Sequence, residues 1–570
     1  MRRIGTLDHS RRYLLTLAGL AFVLVPAPNL LARAQQEIPE RILSIVQADP
    51  RVRDILADVP EIRLEPEYSA DHGVWIIHFV HADQGPKGLI SVSAEGGAIL
   101  EFSFDPDRRQ PEDERAEERE SELLRSLLPR FGGMNVAWLS FVLVVVTVGR
   151  FGRVLSLRNF DILLLYALAP FLHITWTHTK LAYTGIFVVT VLLFVRCLWG
   201  ATGRGEIVTE SNPHNPRAVW VLLAFALVLH VVTLSERGIG DVGIWSAVGG
   251  EYLLRTGRLP YGTEFGPNCV YGPLMYVLFA PAGWAASFIR EVAPDGSIVL
   301  ENFGNWQAMR GVQTTELLLD LLALLALYRL ARRQGEHVIA LTVVFVYAIS
   351  PYLIGMTSEL GLERASHIAG APFILIALLL LGRPLAAGLL LGIATGMLYY
   401  PLFLAPLWFG YLRRKESLRH GLMFLAGFVA VGVVCVVMLM VTVKPADETQ
   451  SALGAFIDDT IAQQQFKSGY GDSPLSFWGQ YPTLAVWGKP TVGVVYGLFC
   501  LALAFFPRRI DFTRLMALTA AVLVGTQLVL SFAGGTYIGF YLAPLVLTLL
   551  HRRRPASLER PETQETGAQI

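Results

Sequence analysis

The sequence contains few charged residues for its length. Asp, Glu, Lys and Arg make up 16% of the 570 residues, whereas 53% are hydrophobic and the mean hydropathy is +0.47. Soluble proteins contain about a quarter charged residues, so this deficit predicts a polytopic membrane protein that is mainly α-helical. The 47 basic and 47 acidic residues give a formal net charge of zero, which gives no indication of a nucleic-acid partner.

Cysteines and nucleotide-binding motifs are also scarce. Of the four cysteines, Cys197, Cys435 and Cys500 lie in or beside apolar runs and only Cys269 does not, so no disulfide framework or metal cluster is expected. No Walker loop occurs, and no dinucleotide fingerprint follows a strand, which disfavours a nucleotide-driven mechanism. No cofactor is required, and no metal ligands are assigned; a divalent metal is compatible with nearby carboxylates but not implied.

Residues 1–34 have the layout of a secretory signal peptide. Basic residues precede a short apolar core, and Ala-Arg-Ala comes immediately before Gln35. An uncleaved signal anchor is the alternative. In both cases the chain from residue 35 onward begins outside the cytoplasm.

Residues 35–105 are predicted to form a small α+β extracytoplasmic domain. Apolar residues between Ile42 and Ile55 recur about once per helical turn. The stretches "VWIIHFVHA", "GLISVSAEG" and "AILEFSFD" read as strands separated by Gly and Pro turns. This order resembles the PepSY-type module. Residues 106–133 form a charged linker.

The remainder, 134–552, is predicted to be a transmembrane domain with about 13 helices, followed by a cytoplasmic tail, 553–570. A span needs ~20 apolar residues, and segment 385–412 is expected to be a pair of short helices broken at Tyr400-Pro401. The candidate segments are 134–150, 160–176, 181–198, 217–235, 312–331, 338–356, 367–382, 385–412, 419–442, 490–506, 515–533 and 537–550.

Arg and Lys in the loops predict the orientation of these spans. Basic loops stay in the cytoplasm, which directs the span 217–235 outward and brings Asp241 to the outer face. Segment 271–288 can be counted as a crossing or as a helix that dips into the outer leaflet. We expect a dipping helix, because a crossing would invert every later basic loop and because Pro273 and Pro281 interrupt the segment.

The stretch "DVGIWSAVGGEYLLRT" predicts an amphipathic helix that begins at Asp241. Asp is a favoured N-cap residue, so one interpretation gives Asp241 only a capping role. The functional interpretation makes Asp241 a general base that takes a proton from an acceptor hydroxyl while a sugar is displaced from a lipid phosphate. Both roles can coexist.

The neighbouring motifs support the functional interpretation. A span, Asp241, the amphipathic helix, "GRLPYG" and "VYGPLMYVLFAP" together resemble the GT-C glycosyltransferase superfamily, most closely its polyprenyl-phosphomannose-dependent mannosyltransferase-like branch. The resemblance implies a multi-spanning helical fold, a polyprenyl-phosphate sugar donor and a catalytic acid in the first large outer loop, here Asp241. Tyr261 and Tyr271 correspond to the motif aromatics, although each can equally be an interfacial anchor.

The resemblance continues through the second outer loop. This loop is 357–366; beyond it, in the helix pair 385–412, the superfamily's usual Lys-x-x-Pro is replaced by Tyr399-Tyr400-Pro401, so the cation expected for the donor phosphate is missing. Arg suits phosphate through its fixed donor fork. The residues that we assign to donor-phosphate binding are Arg364, His367, Arg255 and Arg258. Glu359, Glu363 and Tyr400 are candidate substrate-binding residues, while a local ion pair in a solvated turn explains the two glutamates equally well.

The third outer loop, 443–489, mixes aromatic and amide residues. Flat aromatic faces and several hydrogen-bonding groups are typical of carbohydrate sites, so Trp478, Gln480 and Tyr481 are candidates for an acceptor groove. An interfacial loop without a binding role is the alternative.

The predicted function is transfer of a sugar from a polyprenyl-phosphate donor to an extracytoplasmic glycan, glycolipid or protein acceptor, with inversion, at a bacterial-type inner membrane. A lipid-linked glycan transporter would instead require ionisable residues inside spans. Asp161 and Asp320 are the main candidates, and both are expected near span ends. A catalytically inactive scaffold whose N-terminal module binds a partner is the other alternative.

Overall fold

The computed structural model describes residues 46, 48–58, 62–69, 74–81, 85–93, 99–104 and 133–550. Within the last range it leaves out 152–153, 176–177, 203–215, 236–240, 264–265, 294–296, 302–305, 335–336, 355–364, 446–448, 463–474, 507–509 and 532–533. The chain divides into two units, Met1–Arg130 and Phe131–Ile570, which are described separately. The predicted signal segment, the charged linker and the C-terminal tail lie outside the described residues.

The first unit contains one helix and a four-stranded antiparallel meander. The helix is Pro50–Asp58, and the strands follow in sequence order as β1 (Ile62–Ser69), β2 (Val74–His81), β3 (Gly85–Ser93) and β4 (Ile99–Phe104). Strands β2, β3 and β4 coincide with the stretches that the sequence predicts, whereas β1 was not predicted because Pro66 interrupts it. The position of β1 at the sheet edge explains why a proline is tolerated there.

The second unit is mostly helical. Three of its helices, Thr179–Ala201, Leu418–Thr442 and Pro482–Ala502, are long and apolar enough to cross a membrane. The other helices are Gly133–Val148, Leu157–Tyr166, Leu168–His173, Pro216–Ser235, Asp241–Thr256, Pro273–Ala286, Trp306–Gln334, His337–Ala348, Pro351–Ile354, Ala365–Leu379, Pro384–Met397, Ala405–Lys415, Ala452–Ile457, Phe477–Gln480, Phe512–Thr526 and Leu542–Leu550. A hairpin of β5 (Ile289–Val292) and β6 (Ile298–Leu300) precedes Trp306–Gln334.

The helix pair that the sequence predicts at 385–412 is broken where expected. Pro384–Met397 ends as Leu398 adopts an extended backbone, a 3₁₀ turn spans Tyr400–Leu404, and Ala405–Lys415 then begins. Pro401 has no N–H to donate to the carbonyl of Met397 four residues earlier, and that carbonyl accepts the Gly272 N–H instead, which accounts for the end of the first helix just before the Tyr400-Pro401 pair.

Segment 271–288 forms the helix Pro273–Ala286, whose 14 residues rise about 21 Å. This is shorter than the ~30 Å hydrocarbon core of a bilayer. The helix packs closely on Asp241–Thr256, because a Cβ added at Gly250 would lie 2.7 Å from the Ala280 Cα atom. Two short helices are thus held together through small residues, as is common where helix backbones approach closely.

The ends of the helices collect into two groups. At one end, which we call the basic end, Arg333 and Arg414 donate to the main-chain carbonyls of Leu379 and Ala504 at 2.6 and 2.8 Å. At the opposite end, the aromatic end, the Leu259 N–H donates to Thr442 O at 3.3 Å and the Gly272 N–H donates to Met397 O at 3.0 Å. The helices Pro384–Met397 and Leu418–Thr442 run from the basic end to the aromatic end.

Candidate active site

Asp241 is the first residue of the helix Asp241–Thr256. The sequence therefore predicts the start of this helix correctly, and Asp241 lies beside backbone N–H groups that carry the positive end of the helix dipole. Arg255 lies 14 residues further along, which is about 21 Å along the helix axis. That separation exceeds the length of an arginine side chain, so Arg255 does not reach the same substrate atom as Asp241.

Arg255 is held by a buried carboxylate. Its Nε and Nη2 atoms each lie 2.7 Å from Glu251 Oε1, and Glu251 is only 1% exposed. The second carboxylate oxygen, Oε2, accepts the Ile289 N–H at 3.1 Å. Glu251 therefore ties the helix Asp241–Thr256 to strand β5, and Arg255 neutralises its charge. Both observations indicate a structural role for Arg255.

Arg258 belongs to the turn that follows this helix. Its N–H donates to Thr256 Oγ1 at 3.1 Å, and its guanidinium interacts electrostatically with Tyr252. Gly257 and Gly262 on either side have φ angles of 68° and 72°, a left-handed region that favours glycine. The glycines of the "TGRLPYG" stretch therefore reverse the chain and bring Tyr261 under the helix pair.

Tyr261 and Tyr271 hold the two motif stretches together. Tyr261 is fully buried, and its hydroxyl donates to the Tyr271 carbonyl. The Tyr276 hydroxyl accepts the Tyr271 N–H at 3.3 Å, and the Tyr261 and Tyr276 rings meet edge to face with centroids 5.7 Å apart. Burial raises the pKa of Tyr261 well above its ordinary value, so its hydroxyl stays protonated and remains a donor. Tyr261 is therefore a packed hydrogen-bond donor rather than an interfacial anchor.

Tyr399 joins this group from a distant part of the chain. Its hydroxyl lies close to those of Thr460 and Tyr261 without a hydrogen bond of normal geometry to either. The Phe456 ring contacts both Tyr261 and Tyr399, with centroid distances of 5.1 and 6.1 Å. We call Tyr261, Tyr276 and Tyr399 the tyrosine cluster. The cluster is covered by residues 452–462 of the third outer loop, which we call the docked segment.

Asp459, in the docked segment, is a carboxylate that the sequence analysis did not single out. Its Oδ2 atom accepts the Gly262 N–H at 2.6 Å. Burial raises its pKa above the usual 3.8, the Gly262 hydrogen bond acts in the opposite direction, and the neighbouring Asp458 raises it further. Only the "DD" pair in a loop rich in amides signals this residue in the sequence, and its partner lies 197 residues away.

On either side of the predicted second outer loop, the structure describes the helices Pro351–Ile354 and Ala365–Leu379. Glu359, Glu363 and Arg364 lie outside the described residues, and His367 lies in the first turn of the helix Ala365–Leu379. Tyr400 is 7% exposed, and its ring stacks on Phe540 with centroids 3.7 Å apart and an interplanar angle of 12°. Its hydroxyl has no hydrogen-bond partner.

Trp478 and Tyr481 lie in a different contact group, beside the helix Thr179–Ala201. Trp478 is 3% exposed and donates from Nε1 to Leu528 O at 2.9 Å. The Tyr481 hydroxyl is 2.9 Å from Thr184 Oγ1, and the Lys180 ammonium lies 4.9 Å from the Tyr481 ring centroid. The face of Trp478 is therefore covered by protein, while Tyr481 is placed as an amphipathic anchor at the aromatic end.

Two carboxylates are buried among the helices. Asp161 accepts two hydrogen bonds from Arg196, at 2.6 and 2.8 Å, which is a bidentate pair. Asp320 is the central residue of Trp306–Gln334, and with Gln313 and Glu316 it forms a buried polar face on that helix. The expectation that Asp320 lies near a helix end was wrong, because this helix begins six residues before the predicted span and ends three residues after it.

Among the residues that the structure describes, no three His, Cys, Asp or Glu side chains are grouped to hold a metal ion. In the part of the chain that the structure describes, residues 257–262, Tyr399 and the docked segment meet at the aromatic end, and Asp241 begins the helix that leads to residues 257–262. No known protein family, curated protein or solved structure matches this chain.

Proposed function

We propose that this protein is an inverting membrane glycosyltransferase of the GT-C type, which uses a polyprenyl-phosphate sugar as donor and an extracytoplasmic hydroxyl as acceptor. The Asp241 carboxylate takes the proton of the acceptor hydroxyl. The acceptor oxygen forms a bond to the anomeric carbon, the bond from that carbon to the lipid-phosphate oxygen breaks, and the lipid phosphate leaves with the bonding electrons. General-base assistance of this kind contributes about 10²- to 10⁴-fold to rate.

The observation that carries this proposal is the short helix pair Asp241–Thr256 and Pro273–Ala286. Neither helix is long enough to cross a bilayer, with about 24 and 21 Å of rise, and the stretch that connects them, 257–272, lies at the aromatic end. A carboxylate on a helix too short to span the bilayer suits a general base that acts on a lipid-linked sugar at the membrane–water boundary.

The donor phosphate is proposed to bind beneath the second outer loop. Arg364 directly precedes the helix Ala365–Leu379 in sequence, and His367 lies in its first turn. A helix N-terminus favours anions, and an arginine next to it adds a fixed fork of donors. Arg255 is left out of this role because about 21 Å of helix separates it from Asp241 and because Glu251 holds its guanidinium, whereas Arg258, in the turn after the helix, stays a candidate.

The proposed orientation places the basic end in the cytoplasm and the aromatic end outside. Arg413, Arg414 and Lys415 at the end of the helix Ala405–Lys415, together with Arg333, support this orientation through the positive-inside rule. In a bacterial-type inner membrane, residues 35–105 would then form the PepSY-like extracytoplasmic module.

The test is replacement of Asp241 by asparagine. Asparagine caps a helix about as well as aspartate, so the Asp241→Asn protein is expected to fold and to lose about 100-fold or more of its transfer rate from prenyl-phosphate sugar. Asp511→Asn is the matched control, because Asp511 caps the helix Phe512–Thr526 through its side chain. Transfer near the wild-type rate by Asp241→Asn removes Asp241 from the mechanism.

A lipid-linked glycan transporter is the second candidate, favoured by the buried polar face of Gln313, Glu316 and Asp320. Ionisable residues inside a membrane helix often line a substrate or proton path. Vesicles containing the purified protein and a fluorescent lipid-linked sugar distinguish the two functions. A transporter moves the lipid between leaflets and is slowed by Asp320→Asn, whereas the glycosyltransferase consumes it and depends on Asp241. Movement without any transfer would favour the transporter.

A further inference from the structure

Three consecutive basic residues, Arg413, Arg414 and Lys415, lie in the last turn of the helix Ala405–Lys415. In the described part of the chain, none of the three forms an ion pair with a carboxylate. The exposed Glu416 interacts electrostatically with Lys415. The positive charge of the two arginines is therefore available to an anion from outside the protein.

The two arginines have different structural roles. Arg414 donates from Nη1 to Ala504 O at 2.8 Å and from Nη2 to Leu503 O at 3.3 Å, so it binds the carbonyls that follow the helix Pro482–Ala502. Arg413 reaches the same Ala504 carbonyl at 3.3 Å, which is a longer and weaker contact. Because Arg414 already satisfies this helix end, capping does not account for Arg413.

Two aromatic rings hold the Arg413 guanidinium in place. Its Cζ atom lies 5.7 Å from the centroid of the Phe409 ring and 5.4 Å from the centroid of the Phe505 ring. A cation and an aromatic ring attract each other at these distances. Contacts with two rings restrict the side chain, so it loses less conformational freedom when its other N–H groups bind an anion.

Arg413 also connects two helices that have exposed apolar faces. A Cβ added at Gly421, in the helix Leu418–Thr442, would lie 3.4 Å from the Arg413 Cβ, and Phe505 follows the end of the helix Pro482–Ala502. Only 22% and 11% of the most apolar stretches of these two helices is buried. The exposed apolar side chains nearest the basic end are Leu418, Leu422, Leu498, Leu501, Phe505 and Phe506.

An anionic phospholipid matches both parts of this surface. Its phosphodiester accepts hydrogen bonds from a guanidinium fork, and its acyl chains cover exposed apolar faces of membrane helices. A soluble anion would leave the leucine and phenylalanine side chains uncovered. A zwitterionic lipid would bring a cation of its own close to Arg413, which is unfavourable between like charges. Basic clusters at the membrane end of a span are typical of sites for anionic lipids.

We propose that Arg413 binds the phosphate of an anionic phospholipid whose acyl chains lie against the helices Leu418–Thr442 and Pro482–Ala502. Arg414 and Lys415 add positive charge around the same headgroup, and Phe505 positions the Arg413 guanidinium. In the orientation proposed above, this lipid belongs to the cytoplasmic leaflet. The site goes beyond the proposed glycosyltransferase function and does not depend on Asp241 or on the identity of the sugar donor.

The experiment measures lipid binding to the purified full-length protein in detergent by native mass spectrometry. The probes are phosphatidylglycerol, phosphatidylcholine with the same acyl chains, and glycerol phosphate, which carries a phosphate without chains. Wild-type protein should bind phosphatidylglycerol roughly tenfold more tightly than phosphatidylcholine, because hydrogen bonds between charged groups are the stronger ones. Equal affinity for the two lipids, or displacement of phosphatidylglycerol by an equal concentration of glycerol phosphate, overturns the site.

Two variants test the assigned residues. Arg413→Gln should lower the affinity for phosphatidylglycerol by roughly tenfold and leave the affinity for phosphatidylcholine unchanged. Phe505→Leu keeps every charge and removes one of the two rings, so its loss of about two- to fivefold in affinity reports the held guanidinium and not the net charge. Arg333→Gln is the matched control, since Arg333 is exposed at the same end and donates to Leu379 O at 2.6 Å. Its affinity for phosphatidylglycerol should match that of wild type.

The unfolding midpoint of the lipid-free variants separates binding from folding. Arg413→Gln should unfold close to wild type, because Arg414 still donates to Ala504 O. An unchanged affinity in Arg413→Gln overturns the site, and so does a loss in Arg333→Gln as large as that in Arg413→Gln, because net charge alone would then attract the lipid. If Arg413→Gln does not fold, Phe505→Leu decides, and an unchanged affinity in that variant overturns the site.

Discussion

Asp459 shows how one side chain can connect two loops that lie far apart in sequence. Its carboxylate accepts the N–H of Gly262, and its pKa is raised above the usual value mainly because the group is partly buried. A raised pKa means that the charged form is less favourable in the docked segment than in the unfolded chain. Protonation of Asp459 therefore favours docking.

The expected consequence is a stability that falls as the pH rises. The contribution of Asp459 is fully present below pH 3.8, its ordinary pKa, and is lost as the pH rises through the raised value in the folded protein. Asp459→Asn removes the charge and keeps an oxygen that accepts from Gly262. We expect the variant to have a higher unfolding midpoint than wild type at pH 7 and a flatter profile between pH 4 and pH 7. Asp511→Asn, which keeps a helix cap far from the docked segment, is the control; an unchanged profile in Asp459→Asn would contradict this account.

The roles of single residues were only partly predictable from the sequence. The motif aromatics Tyr261 and Tyr271 were recognised, but their mutual hydrogen bond depends on a glycine turn whose geometry the sequence does not determine. Tyr399 and Asp459 were missed as members of the site because their neighbours are 138 and 197 residues away from them, at Tyr261 and Gly262. Local patterns identify the residue types available, whereas the contacts depend on how distant helices pack.

At the scale of elements, the turn after the helix Asp241–Thr256 provides a matched pair of glycines. Gly257 and Gly262 have nearly the same positive φ, but a Cβ at Gly257 would meet nothing within 4 Å. A Cβ at Gly262 would lie 2.9 Å from the Ala455 Cβ and 3.0 Å from the Pro445 Cα. An alanine would therefore adopt the same unfavourable left-handed backbone at both positions, but only at position 262 would its methyl group also collide with the docked segment.

Alanine substitutions at the two positions should distinguish the cost of the left-handed backbone from the cost of disturbing the packing between this turn and the docked segment. Gly257→Ala is expected to cost about 1 kcal/mol, the penalty for a left-handed alanine. Gly262→Ala should cost about 2–3 kcal/mol, because the added methyl group also overpacks against the docked segment. Chemical denaturation of the purified variants measures both values, and limited proteolysis shows whether the loop 443–489 becomes easier to cut in Gly262→Ala alone. Equal losses in the two variants would mean that the docked segment does not pack on this turn in solution.

The boundaries of elements were predicted well where apolar runs end in charged or proline-rich turns. The break at Tyr400-Pro401 is one such case. The helix Pro482–Ala502 is the counterexample, since the sequence predicted a start near Pro490 and the helix begins eight residues earlier. Pro482 occupies the first turn, where its missing N–H costs nothing, and Pro490 is accommodated inside the helix. Hydropathy alone cannot distinguish a proline that starts a helix from one that lies within it.

At the scale of the whole molecule, composition was sufficient to predict a largely helical chain with apolar helices, and three of these are long enough to span a membrane. The contacts among the helix ends add information about orientation that composition cannot supply. Arg333 and Arg414 bind carbonyls at one end, while "GRLPYG", Tyr399 and the docked segment meet at the other. If the basic end is cytoplasmic, then the docked segment belongs on the opposite side of the membrane.

Cysteine accessibility tests this orientation directly, because the four native cysteines are all buried. Single replacements Asp241→Cys and Asp458→Cys should react in intact cells with a maleimide that does not cross membranes. Glu416→Cys, at the basic end, should react only after the membrane is opened. Asp458 and Glu416 are both exposed in the folded protein, so a difference in their labelling reports the side of the membrane and not burial. Labelling of Glu416→Cys from outside, with Asp241→Cys protected until permeabilisation, would reverse the orientation and remove the carboxylate from the face where a polyprenyl-phosphate donor is proposed to react.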